Sequence, residues 1–570
     1  MALNAQPRKT PANSKADTKA KKVQKAKRQP KQDTTKKVRS KSVASADSVV
    51  LHLNGPGMTP MLQAGLGGVA ASLRAIHLKD RKAKWPARVN IAGGYAEVTP
   101  TRVLLHWGAD PGGFLNTLFE HAFTLRDGLI HIPAWHRARS RQVDPLLAVE
   151  LQRALKRTFL QHGKTTEKVG AETVLPVNYG EGENQVLVSR QSYANYAHRK
   201  EGSSMVLDAL SKGRMSVAGW VCPGATQRHV GFAQSKWEYG LADGLCALFS
   251  VVGCISLQAS ANAGALIVPV PSDLVEFASR RWQMSPQDPG DAIVGGTGDG
   301  VLRTMLALRQ NQRPGDGRAV RSVSGYILRA TPWALQQKNR VCMVAATDFS
   351  QEVLDAYSKA LSQLPNTLRL RKNSKKGEEN YFYSTSALRA FIAENLASGR
   401  PWYAGFATAR TADKDARFIH YYRTRDNLGA LFLDERKGLW AMIEQLDVAE
   451  EALVTSVQEA LKQRLGAIWR NKQTSLTAKR NKSDDVREEW RLRLANAKTM
   501  EQTRHALARI WTEGGYGVQA LKEHWREVLP LLRQDRWQTA RDLALIGLAS
   551  CRRSKDDENE DVEDSFEDAE

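Results

Sequence analysis

Apolar side chains recur every three or four positions over a long stretch near the C-terminus of the chain. They fall at Met442, Leu446, Ala449, Leu453, Val457, Leu461, Leu465 and Ile468. This period puts one continuous apolar stripe on a helix, and the placement of acidic residues early and basic residues late suits the helix dipole. The pattern predicts one long main helix over about residues 437–465, which begins a helical C-terminal arm.

The part of the chain before this helix combines short strands, turns and moderate helices. A β-type run at 49–53 precedes a helical pattern at 61–76, whose glycines (Gly65, Gly67 and Gly68) indicate close packing of backbones. Alternation predicts a strand over 95–107, and Asp144 with Pro145 predicts a helix start. Four apolar runs are predicted to be buried strands of one sheet: 216–222, 230–232, 247–257 and 265–270.

After the main helix the pattern predicts four more helices. The second spans about 486–497, and Thr499 with Gln502 forms a capping box for the third, which stops at Gly514 and Gly515. The fourth covers 518–532 with an interruption at Pro530, and the fifth covers 537–550. We therefore predict an α+β protein with a mixed α/β N-terminal body followed by a C-terminal helical bundle. The predicted divisions are a disordered basic extension (1–47), the body (48–430), the bundle (437–552) and an acidic disordered tail (553–570).

The charge of the chain points to a phosphate polymer as its partner. The formal net charge is +23 at pH 7, and residues 1–45 hold 14 Lys or Arg against two Asp. The surplus extends into the folded part, which favours nucleic acid. No stretch of 18 uninterrupted apolar residues exists, so no membrane partner is expected. The five cysteines are scattered and form no Cys-x-x-Cys pair, which fits a reducing cytoplasm.

Two short polar segments of the body are candidates for nucleic-acid contact. A helix is predicted to end at His162, with Gly163 as its C′ residue. Either Lys164 neutralises the helix dipole, or Gln161, His162 and Lys164 form a polar tip that touches phosphates or base edges. The second segment has no acidic residue. Its amides can contact adenine and its cations can hold phosphate or guanine, and its members are Gln336, Gln337, Lys338, Asn339 and Arg340.

A third candidate lies in the arm. Residues 460–482 contain seven basic side chains and no acidic one. A charge run is ordinarily a solvated face, but the lack of any balancing acid favours nonspecific phosphate contact. The residues assigned to it, at the end of the main helix and in the predicted link to the second, are Arg470, Lys472, Lys479, Arg480 and Lys482.

The chain carries no recognisable catalytic constellation. The loop at 295–300 (Gly-Gly-Thr-Gly-Asp-Gly) is rich in glycine, yet it lacks a following Lys-Ser/Thr, and Asp299 as a helix cap is the simpler account. His131 and His136 are five residues apart with no carboxylate nearby, so no metal site is predicted. We therefore expect no cofactor and no enzymatic activity, with a nuclease or nucleotide hydrolase as the alternative.

Several segments together resemble the large subunit of type I CRISPR effector complexes (Cascade), in the Myxan subtype. The resemblance covers about residues 50–550 and is specific in the order of its motifs. The motifs are Gly55-Pro-Gly-Met58 with Ala64-Gly-Leu-Gly-Gly68, Phe159-Leu-Gln-His-Gly-Lys164, Gly219-Trp-Val-Cys-Pro-Gly224 with Arg228-His-Val230, Asp273-Leu-Val-Glu-Phe277, Thr331-Pro-Trp333 with Gln337-Lys338, Arg400-Pro-Trp-Tyr-Ala-Gly-Phe406 and His524-Trp-Arg-Glu-Val-Leu-Pro530.

The resemblance implies a non-catalytic subunit that recognises the protospacer-adjacent motif, binds the guide RNA 5′ handle and target double-stranded DNA, and supports recruitment of a separate effector in antiviral defence. Implied partners are guide RNA, target DNA, the backbone and handle-binding CRISPR subunits, and a helicase-nuclease effector. In the alternative of a CRISPR-guided transposon-targeting complex, transposition proteins replace that effector. The arm resembles a small-subunit-like bundle, and Met442, as the opening residue of its main helix, suggests a separately translated small subunit.

Overall fold

The structure, a computed structural model, describes residues 47–78, 85–86, 88–137, 143–178, 185–221, 238–260, 263–312, 317–329, 343–346, 349–372, 379–408, 429–515 and 517–551. Within these ranges strands and helices are mixed up to residue 408, and helices follow from residue 429. The predicted α+β fold class is therefore confirmed.

Sixteen α-helices are numbered here in chain order. They are α1 (Pro60–His77), α2 (Pro111–Ala122), α3 (Pro145–Arg157), α4 (Ala197–Lys212), α5 (Leu241–Leu248), α6 (Ser250–Gly253), α7 (Leu274–Met284), α8 (Thr297–Gln310), α9 (Gln351–Gln363), α10 (Ala387–Ala397), α11 (Gly429–Ile443), α12 (Val448–Arg470), α13 (Leu476–Ala495), α14 (Met500–Gly514), α15 (Gln519–Val528) and α16 (Trp537–Ser550), all within the described residues.

The strands of the described residues are β1 (Ser48–His52), β2 (Val89–Ile91), β3 (Gly94–Val98), β4 (Arg102–His106), β5 (Thr124–Arg126), β6 (Leu129–His131), β7 (Thr166–Lys168), β8 (Thr173–Asn178), β9 (Gln185–Arg190), β10 (Tyr193–Tyr196), β11 (Met215–Ser216), β12 (Glu238–Tyr239), β13 (Ile255–Ser260), β14 (Ala263–Pro271), β15 (Val320–Arg329), β16 (Met343–Ala346), β17 (Thr367–Lys372) and β18 (Glu379–Ser384). Two sheets have four antiparallel strands, in the orders β1-β4-β3-β2 and β13-β14-β15-β16, and the other pairs are hairpins or two-stranded ladders.

The first sheet corrects one strand prediction. The run at 95–107 is not one strand but two, β3 and β4, because the chain reverses between them. Thr99 holds the reversal: its backbone N–H donates to the Arg102 carbonyl oxygen at 2.9 Å, and its Oγ1 accepts from the Arg102 N–H at 3.2 Å. The alternating apolar residues of both arms of this hairpin still point into the same core.

Helix α1 confirms the prediction of close backbone packing. A Cβ atom on Gly65 would lie 1.8 Å from the Cys246 carbonyl oxygen, and one on Gly68 would lie 2.3 Å from that of Phe249. Helices α5 and α6 therefore press directly on the backbone of α1. The cost of two glycines in a helix is offset by the contact that only glycine permits.

The predicted strands at 216–222 and 247–257 are mostly wrong. Of the first, only Met215–Ser216 is a strand, and its last residue, Cys222, lies outside the described residues. The second begins in α5 and α6, and only its end enters β13. This segment is buried on all sides, and an apolar run without periodicity fits a buried helix as well as a strand. The run at 265–270 is confirmed as β14, and the run at 230–232 lies outside the described residues.

The main helix of the arm is two helices. Helix α11 ends at Ile443, and α12 starts after Asp447, whose carboxylate accepts the Glu450 N–H at 2.8 Å as an N-cap. Met442 therefore does not open the main helix: it lies in the last turn of α11 and is fully buried. The apolar stripe continues across the break because both helices pack on the same core.

The rest of the arm is close to its prediction. Thr499 caps α14, which ends at Gly514, α15 gives way to a 3-10 turn at Leu529–Leu532, and α16 spans 537–550. The second helix is longer than predicted, since α13 starts at Leu476 and not near 486. Buried side chains of α9 and α10 share one hydrophobic cluster with those of α11–α16, so the bundle is anchored on helices of the body.

Candidate nucleic-acid interface

The segment at 161–164 lies beyond helix α3 and not at its end, which corrects the predicted helix boundary. Helix α3 stops at Arg157, and residues Gly163–Thr165 form a separate 3-10 turn. Lys156 and Arg157 occupy the last turn of α3, so they are the side chains placed to offset its dipole. Lys164 is exposed and outside that turn, which favours the solvent-facing alternative for it.

The three residues of this segment differ in exposure and in whether their side chains are already hydrogen-bonded. The Gln161 amide donates to the Arg157 carbonyl oxygen at 2.7 Å and so partly closes the helix end. His162 is exposed, with its Nε2 3.8 Å from the position of a Cβ on Gly219. A turn of the chain some 57 residues further on thus lies beside His162. Only His162 and Lys164 are exposed and able to meet a ligand without rearrangement.

The structure does not bear on the second candidate segment. Gln336, Gln337, Lys338, Asn339 and Arg340 lie outside the described residues, between the end of β15 and the start of β16. Their assignment stays a prediction.

The basic segment of the arm forms the tip of a helical hairpin. Helices α12 and α13 are joined by residues 471–475, and Ser475 caps α13 through its hydroxyl oxygen. Arg470 ends α12, Lys472 lies in the link, and Lys479, Arg480 and Lys482 lie in the first two turns of α13. The last three were predicted in an interhelical link. They are helical because Ser475 provides a cap and the run from Leu476 onward contains no Gly or Pro.

Two cations of this hairpin tip donate to backbone carbonyl oxygens. Lys479 Nζ donates to the Trp469 carbonyl oxygen at 3.1 Å, and Arg470 Nε donates to that of Gly466 at 3.1 Å. Lys472 and Lys482 are exposed. Within the described residues, no carboxylate lies within 4 Å of any of six basic residues of 460–482, namely Lys462, Arg464, Arg470, Lys472, Lys479 and Lys482. We call the tip formed by residues 470–482 the cationic tip.

The glycine-rich loop at 295–300 is occupied by the protein's own side chains. Gly296 is the N-cap of α8, and a Glu394 carboxylate oxygen accepts from the Gly298 N–H at 2.9 Å and from Thr297 Oγ1 at 2.8 Å. Asp299 is therefore not the cap; it is buried in the first turn. A carboxylate already sits where a phosphate would bind at this helix start.

Asp299 is the centre of a buried ionic cluster. Arg389 donates through Nε and Nη2 to its two carboxylate oxygens at 3.2 and 3.1 Å, and the Tyr357 hydroxyl donates at 2.6 Å. Burial alone would raise the pKa of Asp299, but Arg389, Arg303 and Tyr357 outweigh it and hold the pKa at about 2. The cluster joins α8, α9 and α10, which is a structural role.

The described residues contain neither a metal-binding cluster nor a helix that could span a membrane. No group of three or more His, Cys, Asp or Glu side chains in them is arranged to hold a metal ion. None of their helices has both the length and the apolar character needed to cross a bilayer.

One basic cavity was missed by the sequence analysis. Arg74, Arg126, Arg199 and Trp282, from well-separated parts of the chain, line a cavity of about 650 Å³ beside the stacked rings of His131 and His136. No local motif marks it, because its members meet only through tertiary packing.

Comparison with known proteins identifies the family. Residues 50–248 match the family described as the DevT N-terminal domain, and residues 442–570 match the one described as the DevT C-terminal domain. A protein of Myxococcus xanthus (strain DK1622), named CRISPR-associated protein Cas8a1/Csx13, is 44% identical over 524 residues, which cover 91% of this chain and 90% of that relative. The chain therefore belongs to the Cas8a1/Csx13 family and is the large subunit of a type I CRISPR effector complex of the Myxan subtype.

Proposed function

We propose that this large subunit is non-catalytic, acts in the cytoplasm in antiviral defence, recognises the protospacer-adjacent motif on duplex DNA, contacts the guide RNA 5′ handle and supports recruitment of a separate effector. Membership of the family supports the setting. The observation that carries the nucleic-acid role is the cationic tip, whose lysines have no acidic partner among the described residues.

An unpaired surface cation can bind a phosphate without first losing another contact. A lysine that already pairs with a carboxylate must lose that contact before it can hold a phosphate, whereas a free one only releases a counterion from the DNA. Lys472 and Lys482 are exposed, and the Lys479 ammonium group is held in place by the Trp469 carbonyl oxygen, which leaves its other two N–H groups for a phosphate. We assign the tip to sequence-independent contact with the phosphates of the target or displaced strand.

Motif recognition is assigned to other residues. Gln336, Gln337, Lys338, Asn339 and Arg340 supply amides and cations suited to base edges in the major groove. His162 and Lys164 are exposed and form a second small contact, with Gln161 as the residue that closes the end of α3 behind them. In this division, the cationic tip provides affinity for DNA of any sequence, and the two segments distinguish one adjacent motif from another.

The test uses the chain assembled with guide RNA and duplexes that differ only in the adjacent motif. Replacing Gln337 and Lys338 with Ala should weaken binding of the correct-motif duplex more than guide-RNA assembly, and should narrow the difference between motifs. Replacing Lys472 and Lys482 with Gln should weaken all duplexes alike and flatten the salt dependence. Equal loss of duplex binding and RNA assembly in the first variant would make that segment structural and refute its assignment.

The non-catalytic assignment has its own experiment. The phosphate site that a nucleotide hydrolase would need at 295–300 is filled by Glu394 and tied to Asp299. The purified chain, incubated with Mg²⁺ or Mn²⁺ and DNA, RNA or ATP, should give no turnover above buffer. Metal-dependent turnover that persists after an independent purification would favour the enzyme alternative.

A further inference from the structure

A cavity of about 650 Å³ lies between helices α1 and α7 on one side and the β5–β6 hairpin with its following 3-10 turn, Pro133–Trp135, on the other. Helices α2 and α4 contribute residues to its rim. This volume is within the range of about 300–1,000 Å³ that small-molecule and cofactor sites occupy. None of its described lining residues belongs to any of the three candidate contact segments.

The lining of the cavity is strongly positive. Four arginines contribute to it, and Glu120 is the one carboxylate among its described lining residues; the arginines are Arg74, Arg126, Arg137 and Arg199. Among the described residues, no carboxylate lies within 4 Å of Arg74, Arg137 or Arg199. Arg74 is half-buried, burial lowers its pKa, and its Nε has no hydrogen-bond partner there. A buried N–H group without a hydrogen-bond partner is costly unless a ligand accepts from it.

The cavity also has flat, apolar surfaces beside its cations. Trp282 is half-buried on α7, with the Arg137 guanidinium carbon 5.7 Å from the centroid of its ring. The rings of His131 and His136 are stacked, with centroids 4.8 Å apart and planes 4° apart. Alanine, leucine and proline side chains fill the remaining wall. Planar groups next to guanidinium groups form the kind of surface that holds an unpaired base.

The histidine pair is neutral at physiological pH. Burial is the main cause that lowers the pKa of His131 to about 3 and that of His136 to about 4, and the charge of Arg126 lowers both further. They therefore offer ring nitrogens for hydrogen bonding to a base while the arginines supply the charge.

Hydrogen bonds behind the lining fix the 3-10 turn and helix α7, whose neighbouring residues Ala134 and Trp282 line the cavity. Trp135 Nε1 donates to the Val252 carbonyl oxygen at 3.1 Å, and Arg281 Nε donates to the same oxygen at 2.7 Å. Arg281 also donates through Nη2 to the Cys254 carbonyl oxygen at 2.6 Å, which ties α7 to the end of α6. The turn and helix α7, which carry opposite walls of the cavity, are thus bonded to one backbone oxygen, which favours a cavity that needs little rearrangement to accept a ligand.

We propose that this cavity holds one unstacked nucleotide of a single-stranded nucleic acid, with its phosphate against Arg74, Arg126 and Arg199 and its base against Trp282. The inference rests on the proposed function in taking nucleic acid as the partner, and it adds a site for a single nucleotide that is separate from the cationic tip. A simple anion would use the arginines but leave the aromatic wall unused. An acidic peptide would satisfy the charge but has no planar group for Trp282.

The experiment uses the full chain and short probes. The probes are 5′-phosphorylated tetranucleotides of RNA and of DNA, inorganic pyrophosphate and a tetraglutamate peptide, each titrated by calorimetry at low salt. We expect the RNA or DNA tetranucleotide to bind at least tenfold more tightly than pyrophosphate or tetraglutamate. The two tetranucleotide arms show which sugar the site accepts.

Three variants locate the binding. Arg199→Gln changes an exposed residue and should weaken tetranucleotide binding about tenfold, and Arg74→Gln should do the same. Trp282→Leu should weaken the tetranucleotide about fivefold to a hundredfold while leaving pyrophosphate unchanged. Arg102→Gln, the same charge change at an exposed residue of strand β4 outside the cavity, is the matched control and should stay within twofold of the unmodified chain.

Several results would overturn the proposal. They are the absence of tetranucleotide binding at millimolar concentration, tighter binding of tetraglutamate, equal binding of pyrophosphate with no effect of Trp282→Leu, or loss of binding in Arg102→Gln equal to that in Arg199→Gln. Failure of the proposed function can be told apart from failure of the cavity proposal. A chain that binds tetranucleotides through the cavity but shows no motif-dependent duplex binding keeps the cavity site and refutes motif recognition, and the reverse result refutes the cavity site alone.

Discussion

Helix α13 carries charged side chains along its whole length, but its two halves arrange them in opposite ways. In the first half, Lys479 and Lys482 have no acidic partner among the described residues. In the second half the cations are paired: Arg491 Nη2 lies 2.5 Å from Glu488 Oε1, and Arg493 Nη1 lies 3.2 Å from Glu513 Oε1 on α14. Lysines without an acidic partner thus lie at one end of the helix, whereas at the other end an arginine is paired within α13 and another joins α13 to α14.

The difference shows how pairing separates a binding surface from a packing surface. The paired half surrounds Trp490, which is fully buried and donates its indole N–H to Glu513 Oε2 at 2.7 Å. Acids here satisfy a buried donor and neutralise arginines that could not otherwise approach the core. At the tip nothing buried needs an acid, and neutralising the lysines would remove their attraction for phosphate.

The largest expected effect is a loss of stability on changing the paired half of α13. Trp490→Ala should lower the free energy of unfolding of the arm by about 3–5 kcal/mol, because it leaves a cavity and removes the indole donor from Glu513 Oε2. Hydrogen exchange of α13 and α14 together with thermal unfolding would measure it. Nucleic-acid affinity of the folded fraction should stay within threefold.

The control for this variant is a tryptophan of the same bundle that lies outside the core. Trp525 on α15 is 48% exposed, so Trp525→Ala should change the stability by about 0.5 kcal/mol or less. Equal destabilisation by the two substitutions would show that the paired half is not the packing surface described here.

The second effect is on the tip. Replacing Lys472, Lys479 and Lys482 together with Gln should reduce duplex affinity about a hundredfold at low salt and lower the slope of log affinity against log salt by about 3. Thermal unfolding should not change, since Gln keeps a donor for the Trp469 carbonyl oxygen. Fluorescence anisotropy over a range of salt concentrations measures both quantities.

A triple variant with the same charge change tests whether pairing is what matters. Lys200, Lys212 and Lys359 are paired with Glu167, Asp208 and Glu444, respectively. Their replacement by Gln should alter the salt slope by less than 1, because paired lysines contribute little to phosphate binding. A slope change as large as that of the tip variant would mean that net charge alone governs binding.

The sequence predicted well what depends on local chemistry. Thr499 with Gln502 marks the start of α14, Pro530 marks the break after α15, and the glycines of α1 mark its contact with α5 and α6. Each of these is decided within a few residues or by the absence of a side chain. The basic character of the cationic tip was predicted for the same reason, since it needs only a count of charges.

What the sequence did not predict depends on choices that several segments make together. The run at 247–257 is buried on every side, so its pattern does not distinguish a helix from a strand. The break before Asp447 was hidden because the apolar stripe continues across it, although Asp447 and Glu450 form a recognisable cap. The basic cavity needs Arg74, Arg199 and Trp282 to meet, which no spacing along the chain encodes.

The third expected effect is the pH dependence of the stability that Glu513 contributes to the paired half of α13. Burial would raise the pKa of Glu513, but the Trp490 indole, Arg509 and Arg493 outweigh it and hold the pKa below the ordinary 4.5. A carboxylate with a lowered folded pKa adds stability above its unfolded pKa and loses it as the pH falls through the folded value. Glu513→Gln should therefore cost about 1 kcal/mol at pH 7 and less near pH 3. Thermal unfolding at both pH values measures this, and a penalty that grows on acidification would contradict the assigned charge state.

The smallest expected effects on duplex affinity come from single lysine substitutions, one at the cationic tip and one outside it. Lys482→Gln at the tip should weaken duplex binding about threefold to tenfold at low salt and lower the salt slope by about 0.9, the contribution of one phosphate contact. Lys522→Gln on exposed α15 removes the same charge from the same bundle outside the tip, and should change neither quantity measurably. Both variants should unfold within about 0.5 kcal/mol of the parent, because neither side chain is buried. If the two single variants lose affinity equally, phosphate contact is spread over the bundle surface, and the contrast between the halves of α13 concerns stability alone.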